Sequence, residues 1–131
     1  NGDPIDIYNH GQMKRDFTYV DDLVGAIMAL IDKRPDPAAP VEHDNVSAVA
    51  PFRVVNIGNS EKVRLLDFVD AIEDELGVKA IRNYMEIQPG DVPATWANAE
   101  LLKHLTGYCP QTDIKDGIRD FVKWFRNYYY K

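Results

Sequence analysis

The chain has 131 residues, 45% of them hydrophobic and 27% charged, the make-up of an ordinary soluble globular protein and one domain's worth of length. A net charge of −6, from 15 basic and 21 acidic residues, argues against a general nucleic-acid binder with its basic patch. It leaves room for a local anion site, because net charge says little about one pocket.

Asn1-Gly2-Asp3-Pro4 reads as a turn, and Ile5 to Tyr8 as a short strand. A second turn, Asn9 to Gln12, leads into Lys14-Arg15-Asp16-Phe17-Thr18-Tyr19, where Phe17 and Tyr19 alternate as in a half-buried extended segment. From Asp21 the apolar spacing becomes helical. Leu23, Ile27, Leu30 and Ile31 share one face, with Val24 and Met28 beside them, which predicts a helix from Asp21 to about Lys33. Thr18, Asp21 and Asp22 are cap-type or first-turn residues, suited to the positive end of the helix dipole, and Asp22 reads as a cap. Arg15 therefore sits on a fixed element just before a helix. Its guanidinium suits either a bidentate bond to phosphate or carboxylate or a plain salt bridge to a neighbouring carboxylate.

Pro35, Pro37, Pro40 and Pro51 mark residues 34–51 as a long surface loop, not a domain boundary, since core-forming elements resume after it. Phe52 to Ile57 is rich in β-formers and reads as a strand, followed by a tight turn at Gly58-Asn59. Leu65, Phe68, Val69, Ile72 and Leu76 form a helical stripe that Gly77 stops. Glu73, Asp74 and Glu75 are expected mostly on the opposite, solvated face. Lys79 to Ile87 reads as a strand, and Gln88 to Pro93 as a polar loop stiffened by Pro89 and Pro93. Asn98 can cap a short helix from Ala99 to Leu105, with Gly107 ending it. Thr112 and Asp113 can cap a last helix whose core face is Ile114, Ile118, Phe121, Val122 and Phe125. Trp124 and Tyr128-Tyr129-Tyr130 are expected to pack against other parts of the fold. The expected class is α/β, a small sheet of short strands with three or four helices.

The chemistry present is limited. Cys109 is the one cysteine, so no internal disulfide forms and a reducing, cytoplasmic setting is the natural reading. His10, His43 and His104 are scattered without cysteine partners, which indicates no metal site. No apolar run is long enough to span a membrane, and no signal peptide is visible. The glycines form no Gly-x-Gly-x-x-Gly loop, no serine or cysteine sits in a nucleophile motif, and no tyrosine is followed four residues later by lysine. What remains is an anion-binding arginine and a polar loop carrying Asp91, a binding half-site without catalytic groups. The start at Asn1, without methionine, suggests an excised piece of a longer protein.

Four ordered motifs add to this: Arg15-Asp16-Phe17-Thr18-Tyr19-Val20-Asp21-Asp22, Asn56-Ile57-Gly58-Asn59, Pro89-Gly90-Asp91 and Lys115-Asp116-Gly117-Ile118. Together they resemble the C-terminal part of extended short-chain dehydrogenase/reductase enzymes that modify nucleotide sugars. The nearest likeness is to bacterial UDP-glucuronate 4-epimerases, including those of capsular polysaccharide biosynthesis. The Pro-rich insertion before Pro51-Phe52-Arg53 and the ending Phe121-Val122-Lys123-Trp124-Phe125 favour that branch over UDP-glucose 4-epimerase. The resemblance implies that residues 1–131 form the UDP-sugar-binding C-terminal domain. An N-terminal Rossmann domain, absent from this sequence, would hold NAD and the catalytic Tyr-x-x-x-Lys pair, so neither catalysis nor NAD binding is expected of this chain alone. A homodimeric parent is one form the resemblance leaves open. It further implies that Arg15 contacts the UDP diphosphate and Asp91 a ribose hydroxyl. Gln88 stands where related epimerases often carry arginine, so it would offer the diphosphate only neutral hydrogen bonds. The face meeting the cofactor domain should be unusually apolar. A related dehydratase or decarboxylase, and a stand-alone binding domain, are the alternatives.

Overall fold

The computed structural model describes residues 2–130. In chain order it contains β1 (Ile5–Ile7), a 3-10 turn (Tyr8–Gly11), β2 (Lys14–Arg15), α1 (Val20–Leu30), β3 (Val63–Arg64), α2 (Leu65–Leu76), β4 (Arg82–Tyr84), α3 (Glu100–Thr106) and α4 (Ile114–Tyr129). This is the expected α/β composition. No helix among the described residues is long and apolar enough to cross a membrane. The chain forms two compact units. One comprises the segment up to Arg15, Lys62–Thr95 and everything from Asp113 on; the other comprises Asp16–Glu61 and Trp96–Thr112.

In the first unit β1 pairs with β4 in parallel, with Ile5 opposite Arg82 and Ile7 opposite Tyr84. A separate antiparallel ribbon joins β2 to β3, with Arg15 opposite Val63. The turn between β1 and β2 holds Asn9, His10 and Gly11 at positive φ. Gly11 is required there on two counts: its φ is +77°, and a Cβ would lie 2.7 Å from the Leu66 side chain. Helices α2 and α4 pack on each other, and the core is Ile7, Met13, Val69, Ile118 and Val122. Gly77 ends α2 in the left-handed conformation, φ 70°. Asp113 caps α4 by accepting from the Lys115 N–H at 2.8 Å.

The second unit packs α1 against α3 around Ala26, Leu101 and Leu102. Its long loop is ordered from within. Asp44 and Arg53 form a buried ion pair at 2.6 Å, with side chains 1% and 5% exposed. Burial alone would raise the Asp44 carboxyl, but hydrogen bonds from Arg53, Val41 and Val46 outweigh it and hold its pKa below the usual value. Asn98 accepts from the Glu100 N–H at 2.8 Å, and Gly107 closes α3 at φ 71°.

Several sequence expectations shift. The second strand stops at Arg15, so Phe17 and Tyr19 lie outside the ladder, and the strand expected over Lys79 to Ile87 is three residues long. Phe52 to Ile57 joins no ladder: the Val54 N–H and C=O both bond the Asn45 side chain, at 2.9 and 2.7 Å. α1 ends at Leu30, and its large apolar residues stay outside the core; Val24 and Ile27 are each 50% exposed, while small Ala26 is fully buried. Phe121, Trp124 and Tyr128 to Tyr130 are likewise more than half exposed. They stack on one another, Trp124 on Tyr128 at 5.6 Å, because α4 contacts α2 through the narrow stripe Gly117, Ile118 and Val122. Glu73 is buried, not solvated, since Arg82 and Lys79 reach over it from the segment after Gly77.

Candidate functional site

The backbone that carries Arg15 is held from two sides. β3 pairs with it along one edge. On the other, the Lys14 N–H donates to Pro93 C=O at 2.9 Å and the Thr95 N–H to Lys14 C=O at 3.2 Å. The residue before a proline is pushed toward extended conformation, which helps Val92 and Pro93 lie alongside this short strand. The polar loop is thereby tied to β2, and the two sequence-predicted binding residues it brings together are Arg15 and Asp91.

Arg15 Nη2 donates to Asp91 Oδ1 at 2.8 Å, and Nη1 to the Lys14 C=O at 2.9 Å. The Arg15 and Asp91 side chains are 26% and 33% exposed, half sunk into the surface. Asp91 Oδ1 also accepts from the Val92 N–H at 2.8 Å, and the Asp91 N–H donates to Gln88 C=O at 3.1 Å. That bond closes a turn whose third residue, Gly90, has φ 87°, the conformation that glycine adopts without a steric penalty. The Gln88 side chain is exposed on the same turn. A guanidinium has five N–H donors in a fixed fork, so two bonds inside the protein leave it able to grip an anion. Of the two readings of Arg15, the salt bridge is the one observed here, and the remaining N–H donors are of a kind that suits phosphate. The arrangement can bind and orient an anionic ligand bearing hydroxyls; it holds no nucleophile or acid–base pair.

Two carboxylates have roles that sequence reading did not find. Asp16 accepts three backbone N–H bonds, from Asn59 at 3.1 Å, Ser60 at 3.0 Å and Ala97 at 3.0 Å, and so anchors the Asn56–Asn59 motif. Asp22 does not cap α1. It accepts from Tyr108 Oη at 3.1 Å, Gln111 N–H at 3.1 Å and Thr112 N–H at 2.8 Å. Burial pushes the Asp22 carboxyl up, and the bonds from Thr112, Gln111 and Tyr108 more than offset that, leaving its pKa lowered. No local pattern could reveal these roles, because every partner lies far along the chain. The histidines are also less scattered than their spacing implies: His43 and His104 lie in edge contact, ring centroids 5.7 Å apart.

Known proteins resemble the chain along its length. Protein CapI of Staphylococcus aureus is 50% identical over 137 residues, covering 100% of this chain and 40% of that protein. A probable UDP-glucuronate 4-epimerase of Rhizobium meliloti is 45% identical, covering 98% of this chain and 39% of that protein. The chain therefore spans about two fifths of these curated relatives. Among solved structures, MoeE5 in complex with UDP-glucuronic acid and NAD superposes with a TM-score of 0.77 at 28% identity, over 97% of this chain and 38% of that one. UDP-glucuronic acid 4-epimerase of Bacillus cereus, in complex with UDP-glucuronic acid and NAD, does so with a TM-score of 0.71 at 28% identity, over 95% and 36%. The fold and the ordered motifs agree with these likenesses, and residues 3–121 match the model of the GDP-mannose 4,6 dehydratase family. The protein accordingly belongs to that family of extended short-chain dehydrogenase/reductase enzymes.

Proposed function

We propose that residues 1–131 are the nucleotide-sugar-binding portion of an NAD-dependent UDP-glucuronate 4-epimerase that interconverts UDP-glucuronate and UDP-galacturonate. The carrying observation is that Arg15 and Asp91, remote in sequence, meet at 2.8 Å on a surface of this chain. The 45% identity to a probable UDP-glucuronate 4-epimerase supplies the substrate class. In this reading Arg15 binds the UDP diphosphate, Asp91 takes a ribose hydroxyl, and Gln88 adds a neutral hydrogen bond at the rim. Arg15 keeps its charge at any working pH, so its grip on the diphosphate needs no proton change.

The 131 residues contain no Gly-x-Gly-x-x-Gly loop, so no residue here is assigned to NAD. When bound to the rest of the parent chain, NAD would oxidise the sugar C4 hydroxyl and return hydride to the opposite face after the sugar turns. This portion contributes binding and orientation, which can account for a large share of a barrier. The exposed apolar residues of α1 suit a face covered by that cofactor half. The setting is read as cytoplasmic, in the supply of sugar precursors for polysaccharide.

The test is turnover by the full-length protein of UDP-glucuronate, UDP-glucose and GDP-mannose, with products identified by nuclear magnetic resonance. UDP-galacturonate from UDP-glucuronate supports the epimerase. A 4-keto-6-deoxy sugar would indicate a dehydratase, and a UDP-pentose with carbon dioxide a decarboxylase. Binding without turnover would point to a binding module.

A further inference from the structure

Four side chains of the second unit, none of them used by the Arg15–Asp91 pair, converge on one surface spot. Glu42 and His43 are adjacent on the Pro-rich loop, and Glu100 and His104 are one turn apart on α3. Side chains four apart on a helix lie on one face, which aims both α3 residues at the loop. His43 Nε2 is 3.6 Å from Glu42 Oε1 and 3.6 Å from Glu100 Oε2, and His104 Nε2 is 3.8 Å from Glu42 Oε2. One ligand atom each of Glu42, His43 and His104 fall within 4.8 Å of one another.

We propose that this cluster binds a divalent transition cation, of which Zn2+ is the best fit, and that the cation clips the Pro-rich loop to α3. Ligand atoms at about 2.0–2.1 Å from a tetrahedral zinc lie about 3.3–3.4 Å from each other. Three of the pairs, at 3.6–3.8 Å, come within a few tenths of an ångström of that spacing, and the ligand atoms of Glu42, His43 and His104 as a set, within 4.8 Å of one another, would close on the ion by up to about 1.5 Å. Two imidazoles with carboxylates are a donor set that suits zinc, whereas magnesium and calcium take oxygen alone.

The ligands stand on supported backbone. His43 has φ 61°, a left-handed conformation uncommon for non-glycine residues but one that histidine adopts more readily than most. Next to it the buried Asp44–Arg53 pair and the paired Asn45–Val54 bonds fix the loop. His104 extends from a helix anchored by buried Leu101 and Leu102. All four side chains are exposed, from 36% at His104 to 69% at Glu42, so the site is open, with room for water to complete the coordination. Glu100 also accepts from Asn98 Nδ2 at 3.1 Å. It is therefore the ligand most easily replaced by water, and Glu42, His43 and His104 form the essential set.

The test uses the full-length protein freed of any affinity tag, equilibrated with ZnCl2 and titrated in parallel with Co2+, whose visible bands report coordination. The wild type should bind one more zinc per chain than the His43→Ala/His104→Ala variant. Each single histidine variant, and Glu42→Gln, should weaken this site about tenfold or more, at least the loss typical of ligand-supporting groups. Cys109→Ser and His10→Ala should leave it unchanged. Circular dichroism must match wild type throughout, and zinc should slow proteolysis within residues 34–51 of wild type only. Equal zinc stoichiometry in wild type and double variant overturns the proposal. So does loss of the site in Cys109→Ser, or protection of the loop that survives the double variant.

Discussion

Replacing Arg15 with alanine in the full-length protein should weaken UDP binding by about 1.5–3 kcal/mol, the range for hydrogen bonds to charged groups. That is a rise in Kd of roughly 10- to 150-fold. The fold should survive the change. The pair it breaks is partly exposed, with side chains 26% and 33% accessible, and such pairs contribute about 1 kcal/mol or less. Arg15→Lys should recover only part of the loss, because an ammonium cannot make two parallel bonds to a diphosphate. Asp91→Asn should cost less than Arg15→Ala, and less again against a ligand without the ribose hydroxyl. Since Asp91 Oδ1 accepts from Arg15 Nη2 at 2.8 Å, the two effects should not add. A coupling of about 0.5–3 kcal/mol is expected in the double variant, as for residues in direct contact. The measurement is calorimetry on variants whose circular dichroism matches wild type. If folded Arg15→Ala binds UDP as tightly as wild type, Arg15 is a structural ion-pair residue and the site lies elsewhere.

Two further outcomes concern stability. The Arg82 hydrogen bond, with help from Lys79 and Ala80, outweighs burial at Glu73 and lowers its pKa from 4.5 to about 2. A carboxyl depressed on folding stabilises fully above its unfolded value and loses that contribution as pH falls through its folded one. Melting temperature should therefore fall as the pH drops from 4.5 toward 2, and Glu73→Gln, lower at neutral pH, should show a flatter acid limb. An equally steep limb in Glu73→Gln would assign the acid loss to other groups. In α1, Gly25→Ala should destabilise although alanine is the better helix former by about 1 kcal/mol, because the new Cβ would lie 2.8 Å from Tyr108 Oη. Tyr108→Phe removes both the crowding oxygen and its bond to Asp22, so its own cost is measured singly and the double variant should lose less than the two single losses added together; strict additivity would mean that the crowding has another source.

What the sequence determined by itself was local. Helical spacing and glycine stops placed α2 and α3 within a residue or two, because Gly77 and Gly107 are needed for left-handed caps that follow from backbone chemistry alone. Arg15 on a short strand and Asp91 on a stiff loop were legible for the same reason. Tertiary structure decided what touches what. It set Arg15 against Asp91, turned Asp22 from a cap into the anchor of the segment before α4, and sank Glu73 beneath Arg82. It left the apolar stripe of α1 and the aromatics of α4 largely exposed, because an apolar period predicts a face that can be buried and not what covers it. It also drew His43 and His104 together across a loop whose path depends on the buried Asp44–Arg53 pair. Each of these rests on partners remote in sequence, and spacing along a chain carries no record of such meetings.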